Sequence, residues 1–237
     1  SIEINKRARI GAVAQEAPAT NLSVLETVMA ADTERAALMA EAETATDAHR
    51  IADIHMRLAD IDAHTAEARA ATILKGLGFE QDRQLGPTSQ LSGGWRMRVA
   101  LASLLFSQPD LLLLDEPSNH LDLEAVLWLE DFPKSYPATI VLVSHERDFL
   151  NNVVDHILHL ERGKTWLYPG GYDAFERQRA ERQAQAASAR AKQQAEREKL
   201  QDYIARNSAR ASTAKQAQSR AKALARMQPI AEIVDDP

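Results

Sequence analysis

At 237 residues the chain is long enough for one large domain, or for a domain with an extension. It has no cysteine, which suits a reducing compartment and excludes disulfide and thiolate–metal chemistry. No apolar run approaches the roughly 18 residues of a membrane span and nothing at the start reads as a signal peptide, so a cytoplasmic protein with no membrane partner is expected.

The net charge of −6 conceals a split: residues 171–228 carry 13 Lys/Arg against 6 Asp/Glu, while residues 1–170 sum to −10. A basic, Ala/Gln-rich stretch beside an acidic domain suggests an anionic partner for that stretch, although a solvated helix face has the same composition.

In chain order, Arg9–Val13 reads as a short strand closed by Gln15-Glu16-Ala17-Pro18. Leu22–Leu77 is helical by composition, Ala-rich, charged and free of Pro and Gly until Gly76. Ile51, Ile54, Leu58 and Ile61 recur at intervals of 3, 4 and 3, the seam of a coiled-coil-like pair. Leu25, Val28, Met29 and Leu38 are candidates for the facing helix, with a turn at Thr44–Asp47 and Asp47 as N-cap. His49, His55 and His64 are spaced by 6 and 9, which does not suit a helical metal site, so they are expected to be exposed.

The chemistry concentrates between Leu91 and His145. Ser92, Gly93 and Gly94 open a helix whose apolar face is Val99, Leu101, Leu104 and Leu105. Its first turn has unpaired N–H groups and the positive end of the dipole, so it can receive an anion such as phosphate. Leu111–Leu114 suits a buried parallel strand, with Asp115 and Glu116 at its carboxyl end, where open α/β sheets place their chemistry. Two such carboxylates can divide nucleotide hydrolysis, Asp115 serving Mg²⁺ and Glu116 polarising water. Ile140–Val143 is a second buried-strand candidate, ending in Ser144 and His145. Each piece alone also has a plain reading: a helix cap, two solvated acids, a structural histidine.

Glu124–Phe132 reads as a helix ended by Pro133. Ile157–Leu160, a turn at Arg162-Gly163, and Thr165–Tyr168 form a β-hairpin pattern. Asp173–Arg206 reads as one long helix with Asp173 and Glu176 in a capping-box arrangement, interrupted at Asn207–Thr213. Lys215–Met227 follows as a second helix, ended by Pro229.

Taken together, the LSGG of Leu91–Gly94, the LLLLDE of Leu111–Glu116, the SNHLD of Ser118–Asp122 and His145 resemble the C-terminal half of an ATP-binding-cassette (ABC) ATPase. There they would be the signature, the Walker B strand, the D-loop and the switch histidine. GGWRMRVALA, DEPSNHLD, SHERDFL and YPGGY are similar to the ABC-F branch of translation-factor type.

The resemblance implies an α/β fold: an ABC ATPase domain, P-loop NTPase-like and lacking its Walker A portion, with a helical arm insertion and a C-terminal basic helical hairpin. It divides the chain into a partial ATPase core with the Q-loop (1–22), a helical subdomain with a short arm (23–78), the remaining core (79–172), an interdomain linker hairpin (173–228) and the start of a second cassette (229–237). ATP and Mg²⁺ are the implied cofactors. Glu116 is the implied catalytic base, His145 and Gln15 attend the attacking water and γ-phosphate, and Asp115 and Gln15 serve Mg²⁺. Ser92, Gly93, Gly94 and Asp122 contact ATP shared with a second cassette of the same chain.

The implied partner of the hairpin is the ribosome with its tRNA. Arg206, Arg210, Lys215, Arg220 and Lys222 are the phosphate-contact candidates. No G-x-x-x-x-G-K-[ST] occurs in the sequence, and in the family that loop lies upstream of Gln15. The expectation is therefore a piece of a longer ATPase, inactive by itself, with a sheet edge open to non-native dimerisation. The alternatives are a transporter ATPase subunit, against which SNHLD and the basic hairpin argue, and an RNA-binding module, against which the full Asp115, Glu116 and His145 set argues.

Overall fold

A computed structural model describes residues 8–13, 16–208 and 214–227. The chain divides into two compact units, Ser1–Val153 and Val154–Pro237.

The first unit is built on a parallel three-stranded sheet, β1 (Ile10–Ala12), β2 (Leu111–Asp115) and β3 (Thr139–Val143), in the order β1-β2-β3. Ile10 lies opposite Leu111, and Asp115 opposite Val143. Between β1 and β2 come α1 (Val24–Met29), α2 (Thr33–Thr44), α3 (Ala48–Asp60), α4 (Ala66–Gly76), α5 (Gln81–Gln84) and α6 (Gly93–Ser107). Then α7 (Leu123–Ser135) joins β2 to β3, and α8 (Arg147–Val153) follows β3.

The core forms where α6 crosses the sheet and α1 and α4 cover α6. Val24, Val28, Ala70, Leu74, Val99, Leu105 and Leu112 are all fully buried there. Gly11 is needed on β1, because a Cβ there would collide with Leu104 of α6 and with Pro109.

Periodicity in strands differs from expectation. Leu112 and Leu114 are buried, but Val141 and Val143 are 45% and 56% exposed, so β3 alternates and is not buried on both faces. The reason is that α6 covers one face of the sheet, and residues two apart share a face.

Asp47 caps α3, accepting from the Arg50 N–H at 2.9 Å, and His49, His55 and His64 are exposed. The seam residue Ile54 is completely buried. Its helix packs on α2: Arg50 makes two bonds to the Glu41 carboxylate, at 2.6 and 2.7 Å, and Arg57 donates to Glu34 at 2.6 Å. Leu25 and Val28, expected on the facing helix, instead turn into the core. They lie on α1, a separate helix closed by a Ser23–Glu26 capping box and ended before Thr33. Pro133 does not end α7 but sits in its last turns, and the helix runs to Ser135.

In the second unit, β4 (His156–Glu161) and β5 (Lys164–Pro169) form the antiparallel hairpin that the sequence predicts, turning through Arg162 and Gly163, both with positive φ. Next come α9 (Tyr172–Asn207) and α10 (Ala214–Arg226). The cap of α9 is Gly171, two residues before the expected Asp173, and it makes no side-chain capping bond. Tyr168, Phe175 and His159 pack together, with the Tyr168 and Phe175 rings 5.1 Å apart and nearly perpendicular, so the hairpin sits on the first turn of α9.

Candidate functional site

The carboxyl ends of β2 and β3 bring the two acids and the histidine together. Asp115 is the last residue of β2, and Glu116 leaves the strand in the left-handed region, φ 46°. A non-glycine residue there is strained and persists only where its surroundings hold it. Two contacts hold Glu116. Its N–H donates to the Val143 carbonyl at 2.9 Å, and its carboxylate meets His145 Nδ1 at 2.8 Å.

The Glu116 side chain is 28% exposed and that of His145 71%. The hydrogen bond to Glu116, and then its charge, raise the His145 pKa above the ordinary imidazole value. Asp115 is different: among the described residues its exposed carboxylate has no hydrogen-bond partner. One acid is thus engaged and the other open. A cavity of about 110 Å³ lies against both, lined also by Arg98, Asn119 and His120.

The donor set suits a hydrated Mg²⁺. The cation favours oxygen ligands, keeps several waters and needs only one or two carboxylates. No cluster of three or more metal-ligating side chains occurs among the described residues, so an all-protein cage is not on offer there, whereas the open Asp115 carboxylate is.

The turn after Glu116 is braced on both sides. On one side buried Ser118 donates to the Glu146 carboxylate, next to His145, and the Glu146 N–H donates to Ser144 Oγ at 3.1 Å. On the other side is Arg98, from the second turn of α6, only 9% exposed. It donates to the His120 carbonyl at 2.8 Å, the Leu77 carbonyl at 3.2 Å and Asp122 Oδ2 at 2.9 Å. Asp122 also caps α7, accepting from the Ala125 N–H at 3.1 Å. The bond from Arg98, and then that from Ala125, hold the Asp122 carboxyl below its ordinary value.

Trp95, in the turn before Arg98, stands edge-on to Phe79 at 4.8 Å, with the Arg98 and Arg83 guanidiniums 4.5 and 4.1 Å from its ring. Gly78, with φ +85°, gives Arg98 room: a Cβ there would lie 3.0 Å from Nη1.

The start of α6 is open. Ser92 is the N-cap but its hydroxyl makes no capping bond, and nothing lies within 4 Å of a Cβ placed on Gly94. Gly93 faces Glu16, which holds Arg96 at 2.6 Å, pinning the segment after β1 to the first turn of α6. First-turn N–H groups and a hydroxyl without partners among the described residues, with an unobstructed glycine, make a surface that can take an anion.

Known proteins match most of the chain. Residues 2–119 and 158–237 match two family models, each described as ABC transporter. The probable ATP-binding protein YheS of Escherichia coli K12 is 49% identical over 229 residues, which is 95% of this chain and 36% of that protein. ABC transporter F family member 3 of Arabidopsis thaliana is 50% identical over 188 residues, 79% of this chain and 26% of that one. ATP-binding cassette sub-family F member 2 of Bos taurus is 42% identical over 218 residues, 90% and 35% of the two chains.

The chain belongs to the ABC-F family of ATP-binding-cassette proteins. It spans 26–36% of the length of these relatives. A solved ATP-binding subunit of an ABC transporter shares the fold, with a TM-score of 0.50 at 18% identity over 73% of this chain and 63% of that one.

Within this ABC-F chain, Gln15 and Arg210 lie outside the described residues. Arg206, Lys215, Arg220 and Lys222 are exposed on α9 and α10. Arg206 reaches Asp202 at 3.6 Å, and Arg220 stacks 3.6 Å above the Tyr203 ring, whose hydroxyl bonds Gln216 at 3.0 Å. The sequence marked Arg98 only as part of GGWRMRVALA; its bonds, the Ser118–Glu146 bond and the Tyr203–Arg220 stack were not foreseen. Arg98 carried a faint signal, a charge inside the apolar run of α6.

Proposed function

We propose that these residues form the hydrolytic half of an ATP site in a longer, two-cassette protein acting on the ribosome. The observation that carries the reading is the Glu116 carboxylate, held at the strand end by His145 at 2.8 Å beside the exposed Asp115. Glu116 takes a proton from the attacking water, and His145 holds that carboxylate's orientation and hydrogen-bonds the phosphate oxygens. Asp115 carries Mg²⁺, which when bound neutralises charge on the phosphate oxygens. Gln15, expected at the end of β1, attends the same water and cation. The open first turn of α6, with Ser92, Gly93 and Gly94, meets the phosphates of ATP held by the other cassette. Asp122, expected there too, acts from the start of α7 as part of the braced turn.

The α9–α10 hairpin presents Arg206, Arg210, Lys215, Arg220 and Lys222 to RNA phosphates, a charge-led and sequence-tolerant contact. Its partner is ribosomal RNA or tRNA, in the cytoplasm. No helix among the described residues is long and apolar enough to cross a membrane. The ABC-F names of the relatives and the basic hairpin both weigh for this reading over transport.

The test is Glu116→Gln in the longer protein, with the second cassette's glutamate already silenced. ATP affinity stays near that of the parent, while turnover falls by a factor on the order of 10² or more. Ribosome co-sedimentation of this trapped form rises with ATP over ADP. Near-parental turnover would refute the role of Glu116, and pelleting indifferent to nucleotide would refute the ribosomal partner. The 237-residue chain has no G-x-x-x-x-G-K-[ST]. By calorimetry it is expected to show no stoichiometric micromolar ATP binding by itself.

A further inference from the structure

We propose that Arg98 is a positioning residue that couples the nucleotide-facing end of α6 to the Glu116 carboxylate. The inference rests on the ATPase reading above and adds to it a residue that touches neither substrate nor reacting atoms.

Arg98 is a buried cation whose three bonds tie α6 to two other stretches of chain, the end of α4 and the connection from β2 to α7. It meets Leu77 after α4, His120 in the turn after β2, and Asp122 at the cap of α7. A charge removed from water is retained only where fixed acceptors replace the water, and a planar guanidinium fork imposes directions that an ammonium does not. The bond to the His120 carbonyl matters most for catalysis. His120 follows Asn119, whose N–H donates to the Glu116 carbonyl at 3.3 Å, and Leu121 closes the same turn by donating to the Ser118 carbonyl at 3.0 Å. The far side of the turn is fixed by the Ser118–Glu146 bond next to His145. A movement of α6 therefore reaches the Glu116 backbone through Arg98, His120 and Asn119, while His145 and Glu146 hold the other end.

The arrangement leaves α6 able to report on its own N-terminus. Ser92, Gly93 and Gly94 lie six to four residues before Arg98 on the same rigid helix, less than two turns away. An anion seated on that first turn displaces α6 as a body, and the fork carries the displacement to the turn that fixes Glu116. ATP bound across the interface would in this way align the base of the neighbouring site. Spatial continuity alone does not establish coupling, so the experiment measures the coupling itself.

The experiment compares Arg98→Lys and Asp122→Asn, singly and together, in the longer protein with the second cassette's glutamate silenced. Steady-state ATPase, thermal melting and amide exchange at residues 118–122 are read for each. Lysine keeps the charge and loses the fork; asparagine keeps the helix cap and loses the ion pair.

For Arg98→Lys the expected result is a kcat lower by about 10- to 100-fold, with KM for ATP within about twofold and faster exchange at Asn119 and Leu121. Asp122→Asn gives a smaller fall of the same kind, and the double variant is not additive. A merely structural Arg98 would lower the melting temperature and the folded yield, leaving kcat per folded molecule at the parental value, and that result overturns the proposal. If Arg98→Lys does not fold, Asp122→Asn decides: parental kcat overturns the proposal, and reduced kcat at unchanged KM supports it. A parental protein without ATPase activity overturns the hydrolytic reading, and this inference with it, and is distinguished by needing no variant.

Discussion

The chain contains two helical hairpins that read alike in composition and are stabilised in opposite ways. In α2–α3 the charges are spent on the hairpin itself: Glu41 takes both arms of Arg50, Glu34 takes Arg57, and Ile54 is completely buried. In α9–α10 the helices meet through Ala217, the Tyr203–Gln216 bond and Arg220 over the Tyr203 ring. Among the described residues, Lys215, Lys222 and Arg226 of α10 have no ion-pair partner. A hairpin whose cations are neutralised at home is braced by them; one whose cations face solvent leaves them available to another molecule. Helical propensity does not separate the two cases, and the partners of the arginines do.

The largest expected effect tests the braced hairpin. Ile54→Ala removes a fully buried side chain from the α2–α3 contact, and a loss of about 2–5 kcal/mol in chemical denaturation is expected. The same substitution at a solvent-facing residue of α9, such as Gln201→Ala, should stay within about 0.5 kcal/mol. A small loss for Ile54→Ala would mean that α2–α3 is held by its ion pairs and not by its seam.

The second prediction tests the outward charges. Replacing Lys215, Arg220 and Lys222 with Gln leaves the helical signal in place and weakens binding to single-stranded or structured RNA. The slope of log affinity against log salt should fall by roughly one for each phosphate no longer neutralised. Arg220 contributes least if its guanidinium stays on Tyr203. An unchanged salt slope would remove the nucleic-acid role from α10.

How far the sequence reached follows from the range of the interactions involved. The strand Leu111–Asp115, the Asp47 cap and the Arg162-Gly163 turn were legible because each depends on a few neighbouring residues: an apolar run, an Asx acceptor, a two-residue loop with positive φ. The grouping of Asp115, Glu116 and His145 was legible because parallel strands place their carboxyl ends together. The bonds of Arg98 were not, since its three acceptors lie 21, 22 and 24 residues away and depend on α4 packing against both α6 and α7. The same holds for Leu25 and Val28: their spacing suits a facing helix for α3, but a helix break before Thr33 lets α1 turn to the core. Pro133 misled for a local reason. The helix gives up one N–H bond at Pro133 and needs only two more residues beyond it, closing with the Tyr136 N–H on the Pro133 carbonyl at 3.1 Å.

The smallest expected effect sharpens the comparison without mutation. Arg50 lowers the Glu41 pKa, chiefly through its hydrogen bonds, and Arg57 does the same to Glu34. A carboxylate whose folded pKa lies below its unfolded value stabilises the fold fully above the unfolded value, near 4.3 for Glu. That stability is lost as the pH falls through the folded pKa. Acidification from neutrality to about pH 3 should therefore loosen α2–α3, seen as lower amide protection at residues 44–50 once each rate is divided by that of the unstructured peptide at the same pH. Both pairs are solvent-exposed, so added salt should reproduce part of the effect at neutral pH. The α9–α10 packing through Tyr203, Gln216 and Arg220 does not rely on a carboxylate and should change less over the same range. Equal acid sensitivity in the two hairpins would mean that the cross-hairpin pairs do not distinguish them, and the contrast would then rest on Ile54 alone.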